Sequence, residues 1–121
     1  MLWVNAVNCA NATCPNRTCA DYAVGTAPAP AGPWTFRNMA QPAALPANLG
    51  DFALLADGDG SGFIVLTHLT SGAGPREMWV FALAPDFLTF GAASALLPGP
   101  VLVEAPAFFR RRGTYHVLLG G

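Results

Sequence analysis

The sequence predicts an all-β fold built from repeated units, and three observations carry that prediction. Apolar runs are short, and each is closed by Gly, Pro, Asp or Asn, the pattern of strands joined by tight turns. Charged helix formers are scarce: the 121 residues include no lysine and two glutamates against 13 glycines and 11 prolines, so long amphipathic helices are not expected. The order strand, turn, strand also recurs with a period of roughly fifty residues, as in a repeat array. The chain is long enough for one small domain, and its 53% hydrophobic content can supply a core.

Taken in order, Leu2-Trp3-Val4-Asn5 reads as a first short strand and Tyr22-Ala23-Val24-Gly25-Thr26 as a second. A Pro/Gly/Ala turn from Ala27 to Pro33 leads to Trp34-Thr35-Phe36, which closes the unit. A second unit begins with Asp51 to Leu55, turns at Asp57-Gly58-Asp59-Gly60 and returns through Gly62 to Thr67. The loop Ser71 to Pro75 precedes a strand from Met78 to Leu83, and Asp86-Phe87-Leu88-Thr89-Phe90 closes this unit, so Phe36 and Phe90 are expected to be equivalent ends. A third unit opens at Val103-Glu104-Ala105-Pro106-Ala107-Phe108-Phe109, turns at Arg110-Arg111-Arg112-Gly113 and continues from Thr114 to Leu119. Short strands, closely spaced turns and this period make β-propeller blades the first candidate architecture.

The charged turns have plain explanations. Asp57, Asp59, Ser61 and Gly62 fit the opening of a calcium loop, but the twelfth position is His68 and the intervening residues are an apolar strand, so a hairpin turn is expected and no metal. The three arginines at 110–112 read as a solvated turn that also guards strand edges. With a formal net charge of −1 nothing suggests a nucleic-acid footprint or a polybasic membrane patch, and no apolar run is long enough for a membrane-spanning helix. No cofactor motif is present.

The N-terminal residues are too short and too soon polar for a secretory leader. Cys9, Cys14 and Cys19 are spaced unlike a metal knuckle or a redox pair, and a loop disulfide with one thiol left over is expected. Two glycosylation sequons, Asn11-Ala12-Thr13 and Asn16-Arg17-Thr18, interleave with them and point to an oxidising, extracellular setting, with a signal peptide upstream of Met1.

Glu104 is the candidate for chemistry. Placed beside Pro106 and flanked by Val103, Ala105 and Phe108, it is either an exposed loop glutamate or, if buried, a carboxyl in surroundings that favour its protonated form, as a general acid requires. Trp3, Trp34 and Trp79 could be sugar platforms, but each adjoins an apolar strand and core packing is expected. His68 and His116 read as ordinary strand residues.

Several ordered motifs resemble one family. Asp51-Phe52-x-Leu54-Leu55-x-Asp57-x-Asp59-Gly60, followed by Glu104-Ala105-Pro106-Ala107-x-Phe109-x-x-x-Gly113-Thr114-Tyr115-x-Val117-Leu118, resembles the family 43 glycoside hydrolases, which are five-bladed β-propellers. The Glu-Ala-Pro-Ala form, with Trp3-Val4-Asn5, Tyr22-Ala23-Val24-Gly25-Thr26 and Gly32-Pro33-Trp34-Thr35-Phe36, is most similar to the branch containing exo-β-1,3-galactanases. On this resemblance residues 1–121 are a partial propeller domain of about two and a half blades, with the first and last blades missing.

The resemblance implies roles for three residues. Glu104 matches the family's general acid in an inverting hydrolysis, Asp51 matches the carboxylate that keeps the acid's pKa high and orients it, and Tyr22 aligns with an aromatic lining the sugar subsite. Without the resemblance Asp51 reads as a strand-start residue capping a turn after Gly50. An inverting enzyme also needs a group about 6.5–9.5 Å from the acid to activate water. In most of the family that group is an aspartate on the first blade, while the assignment differs in the galactanase branch, and no residue here takes the role. The implied substrate is a β-1,3-galactan-like polysaccharide. Two other readings are an arabinofuranosidase or xylosidase of the same superfamily, and a non-catalytic carbohydrate-binding propeller repeat in which Glu104 is only a loop residue. The isolated 121 residues are expected to be inactive and prone to associate, because a propeller pocket closes only where all blades meet.

Overall fold

The computed structural model describes residues 1–7, 20–45, 48–70, 75–99 and 103–120. The three cysteines, both sequons and most of the loop from Ser71 lie outside the described residues. The fold is all-β. Among the described residues nine strands run in chain order: β1 (Leu2–Val7), β2 (Ala20–Thr26), β3 (Thr35–Ala40), β4 (Leu49–Ala56), β5 (Gly62–Leu69), β6 (Arg76–Leu83), β7 (Phe90–Leu96), β8 (Glu104–Arg111) and β9 (Thr114–Gly120). They form three antiparallel sheets in which every strand lies beside its sequence neighbour: β1-β2-β3, β4-β5-β6-β7 and β8-β9.

Strand periodicity explains which residues enter the core. In β1 and β2 alternate residues face opposite sides, so Trp3, Tyr22 and Val24 point together toward the central sheet. There they meet Ile64, Leu66 and Phe81, which are likewise in phase across β5 and β6. The apolar run of β5 is buried on both faces, since Val65 lies on the side opposite Ile64 and is also fully covered. Phe63, Val80, Phe108 and Val117 line an apolar cleft between the central sheet and the β8–β9 hairpin. Aromatic rings stitch the first two sheets together: Trp3 packs edge-on to Phe90 at 5.4 Å, and Tyr22 lies 4.7 Å from Phe52. The Trp3 indole also donates to the Phe87 carbonyl at 3.0 Å.

Four details depart from the sequence reading. The segment 86–90 does not close the second unit; residues 86–89 form the turn into β7, a fourth strand that Phe90 opens and whose middle (Gly91, Ala92, Ala93, Ser94, Ala95) reads as loop because it has no β-branched or aromatic side chain. Arg110 and Arg111 belong to β8, and the turn consists of Arg112 and Gly113, both with positive φ as a two-residue hairpin requires. Trp34 is 40% exposed and does not pack in the core, because it sits on the side of the first sheet away from β4–β7. Phe36 and Phe90 each lie at the start of the last strand of their sheet, but Phe90 packs against the core while Phe36 is 63% exposed.

Gly62 is required by packing and not by a turn. A Cβ there would collide with Cε1 of Phe87, whose ring covers the start of β5. Gly62→Ala is expected to destabilise the fold by about 1–3 kcal/mol through overpacking. Urea denaturation measures this, and an unchanged midpoint would show that the Phe87 ring is not held there.

Candidate functional site

Two β-bulges build the region around the sequence-nominated residues. Pairing of β4 with β5 shifts between Leu49, opposite His68, and Phe52, opposite Leu66, so Gly50 and Asp51 together face Thr67. Pairing of β8 with β9 shifts in the same way between Glu104, opposite Gly120, and Ala107, opposite Leu118, so Ala105 and Pro106 face Leu119. A bulge releases backbone groups from the ladder and re-aims side chains, and it tolerates a proline that has no N–H to donate. The released groups are used across the gap between sheets: Ala105 N–H donates to Asp51 Oδ2 at 3.2 Å. The two strand starts are joined through this contact.

Tyr22 joins the same region from the first sheet. Its hydroxyl donates to the Gly50 carbonyl at 2.8 Å, next to Asp51. The side chain is fully buried, and burial pushes its hydroxyl well above the ordinary tyrosine value, with the negative charge of Asp51 adding to the shift. The hydroxyl therefore remains a donor. Tyr22 underpins the bulge from within the core and presents no surface to a solvent-borne ligand in this chain.

Glu104 is half-exposed. Its Oε1 lies 3.0 Å from Nη2 of Arg76, with 46% of the glutamate side chain and 31% of the arginine side chain accessible. The poorly hydrated setting considered for Glu104 is thus replaced by a partly solvated ion pair. Arg76, Met78, Leu96, Leu97 and Val103 line an adjoining open cavity of about 370 Å³. On the other face of β6, Glu77 accepts from Trp79 Nε1 at 2.9 Å and contacts His68 Nδ1 at 3.1 Å. These two contacts, the indole first, hold the Glu77 carboxyl below the usual carboxylate range. Asp51 and Glu104 therefore stand at neighbouring strand starts, with Tyr22 beneath one and Arg76 beside the other.

Sequence reasoning missed the partners. Nothing in the spacing of Arg76 and Glu104 announces a pair, and His68, read as an ordinary strand residue, faces Glu77 across β5 and β6. The two charged turns also meet each other. Arg110 reaches Asp57 with one nitrogen 2.7 Å from each carboxylate oxygen, and the Tyr115 hydroxyl donates to the same carboxylate. The Asp57 side chain is only 7% exposed. Asp59 Oδ1 is taken by the backbone N–H and hydroxyl of Ser61. Hence the carboxylates of the calcium-like motif are engaged by protein donors, and among the described residues no group of three metal-ligating side chains converges.

Comparison with protein-family models, curated proteins and solved structures returns no significant match.

The Asp57 latch predicts an acid dependence. The hydrogen bond from Tyr115 and then that from Arg110 lower the Asp57 carboxyl to about 2 from its ordinary 3.8. A carboxyl lowered on folding adds stability that is present above its unfolded value and is lost as pH falls through its folded value. Chemical denaturation should therefore show stability falling between about pH 4 and pH 2, with a shallower fall in Tyr115→Phe. Equal slopes for the two proteins would contradict the assignment.

Proposed function

We propose that the three sheets are consecutive blades of a β-propeller glycoside hydrolase of the family 43 type, acting by inversion on a β-1,3-galactan-like polysaccharide. The single observation that supports this most is the hydrogen bond between Asp51 and the Ala105 backbone, which joins the starts of two successive inner strands, each carrying one of the carboxylates that the resemblance nominates. The four-stranded meander β4–β7, flanked by further antiparallel sheets, is compatible with a propeller blade.

In this reading Glu104 donates a proton to the leaving-group oxygen while water attacks the anomeric carbon from the opposite side of the ring. Asp51 is the negative neighbour that orients the acid, and Tyr22 is a positioning residue that fixes the Asp51 bulge through Gly50. The acid must be protonated when substrate is bound. Its carboxyl oxygen is held by Arg76 in this structure, so Glu104 has to leave that contact to reach the leaving group as the sugar enters. No residue of this chain is assigned the role of activating water.

A second reading is favoured by the Arg76–Glu104 ion pair itself. A half-exposed glutamate paired with arginine can be purely structural, in a carbohydrate-binding repeat without catalysis.

Glu104→Gln in the native polypeptide separates the two. The catalytic reading expects hydrolysis of β-1,3-galactan to fall by about a hundredfold or more with sugar binding retained, since a general acid contributes roughly 10²–10⁴. Hydrolysis at the wild-type rate would remove Glu104 from the chemistry. Turnover of nitrophenyl arabinofuranosides or xylosides in place of galactan would keep the acid and change the sugar.

A further inference from the structure

Two arginine–carboxylate pairs lie near the two ends of β8, and they are built differently. Arg110 reaches both oxygens of Asp57, whose side chain is almost fully covered. Arg76 meets Glu104 through one contact, Nη2 to Oε1 at 3.0 Å, and both side chains remain partly open to solvent. A guanidinium can hold both oxygens of a carboxylate, and Glu104 fills one of those two places. An exposed pair of this kind contributes little to stability and is readily exchanged. The space beside Arg76 is suited to a different partner. Arg76 and Met78 point to one side of β6 and Glu77 to the other, where Trp79 and His68 occupy its carboxylate. Arg76 and Met78, with Leu96, Leu97, Val103 and Leu119, line the open cavity of about 370 Å³, within the roughly 300–1,000 Å³ of small-molecule sites. Apart from Arg76 and Glu77 the lining residues are apolar, so Arg76 supplies the charge on an otherwise apolar wall.

We infer that Arg76 reads an acidic sugar: a uronic acid on the leaving-group side of the scissile bond, whose carboxylate takes the place of Glu104 on the guanidinium. The inference rests on the proposed role of Glu104 and adds the substrate class. A general acid stands beside the leaving-group oxygen, so the residue that it touches at rest borders the subsite of the leaving sugar. When Glu104 moves to that oxygen, it leaves the guanidinium without its carboxylate beside Met78, Leu96 and Val103, and a charge against apolar walls calls for an opposite charge. A neutral sugar offers hydroxyl oxygens there, whereas a carboxylate restores a charge-assisted pair and can fill both places on the guanidinium. The charges also balance. At rest two carboxylates, Asp51 and Glu104, stand beside one guanidinium. In the complex Glu104 is protonated for donation and the carboxylate of the substrate takes over its charge, so the site gains no net repulsion.

Two disaccharides with the same β-1,3-linked galactosyl group test this in the native polypeptide, one with galacturonic acid and one with galactose as the leaving sugar. At low salt kcat/KM should be higher for the acidic disaccharide by about tenfold or more, chiefly through KM, and the preference should narrow as salt screens the pair. Arg76→Gln should remove the preference, and Arg76→Lys, which keeps the charge but not the planar fork, should retain part of it. Arg76 is partly exposed, so neither substitution opens the core. Equal kcat/KM for the two disaccharides in the wild type, or a preference that survives Arg76→Gln, would overturn the inference. Hydrolysis of neither disaccharide would instead be a failure of the hydrolase reading, and calorimetric titration of the same two sugars into wild type and Arg76→Gln then decides. Binding of the acidic disaccharide about tenfold tighter, lost in the variant, upholds Arg76 as its reader, and equal binding of the two overturns it.

Discussion

Burial of β5 on both faces is the constraint on which the rest of the structure depends. A strand with Ile64 and Leu66 on one side and Val65 and Thr67 on the other, all essentially inaccessible, cannot exist in a sheet with a wet face. It demands an apolar layer above and another below. Trp3, Tyr22 and Val24 of the first sheet supply one, and the β8–β9 hairpin supplies the other. The sequence order of the three sheets is therefore also their order in space, and the chain reads as a stack in which each sheet is completed by its neighbours.

The candidate site is a consequence of this stacking. Tyr22, Asp51 and Glu104 are far apart in sequence, yet each belongs to a strand start or core position that the packing brings into contact with the next. The bulges matter because a regular ladder would occupy the backbone groups that here reach between sheets. Tyr22 spends its hydroxyl on Gly50, and Asp51 spends one oxygen on Ala105. At the opposite end of β4, Asp57 makes a second bond between the same two sheets through Arg110 and Tyr115. The hairpin β8–β9 is thus fixed to β4 near both ends, which sets the position of Glu104 relative to Asp51.

The strands dominated by large apolar residues were legible in the sequence. β4, β5, β6 and β9 carry bulky or β-branched side chains bounded by Gly or charged turns, and local pattern suffices to identify them. β7 was not, because Gly91 to Ala95 contains nothing bulky, and its conformation comes from pairing with β6, where Val80 faces Ala95. The polar pairs were hidden for a related reason. Asp57 and Arg110 lie 53 residues apart, and only sheet packing makes them neighbours. Trp34 shows the limit of arguing from residue type: an indole beside a strand is usually buried, but this one lies on a face that no described residue covers. Glu104 and Asp51 were nominated by motif, whereas the environment of Glu104, ion-paired and half-exposed, followed from Arg76 on a strand that the motif does not include.

Native-state hydrogen exchange, resolved by residue, tests the central claim most directly. If burial of β5 on both faces organises the fold, the amides of Ile64, Val65, Leu66 and Thr67 should be the slowest to exchange. They should exceed those of the singly covered edge strand β1 and of β9 by about a hundredfold or more, because core strands open only with global unfolding while peripheral ones open locally. Protection that is uniform across the three sheets, or greatest in β1 or β9, would contradict the account.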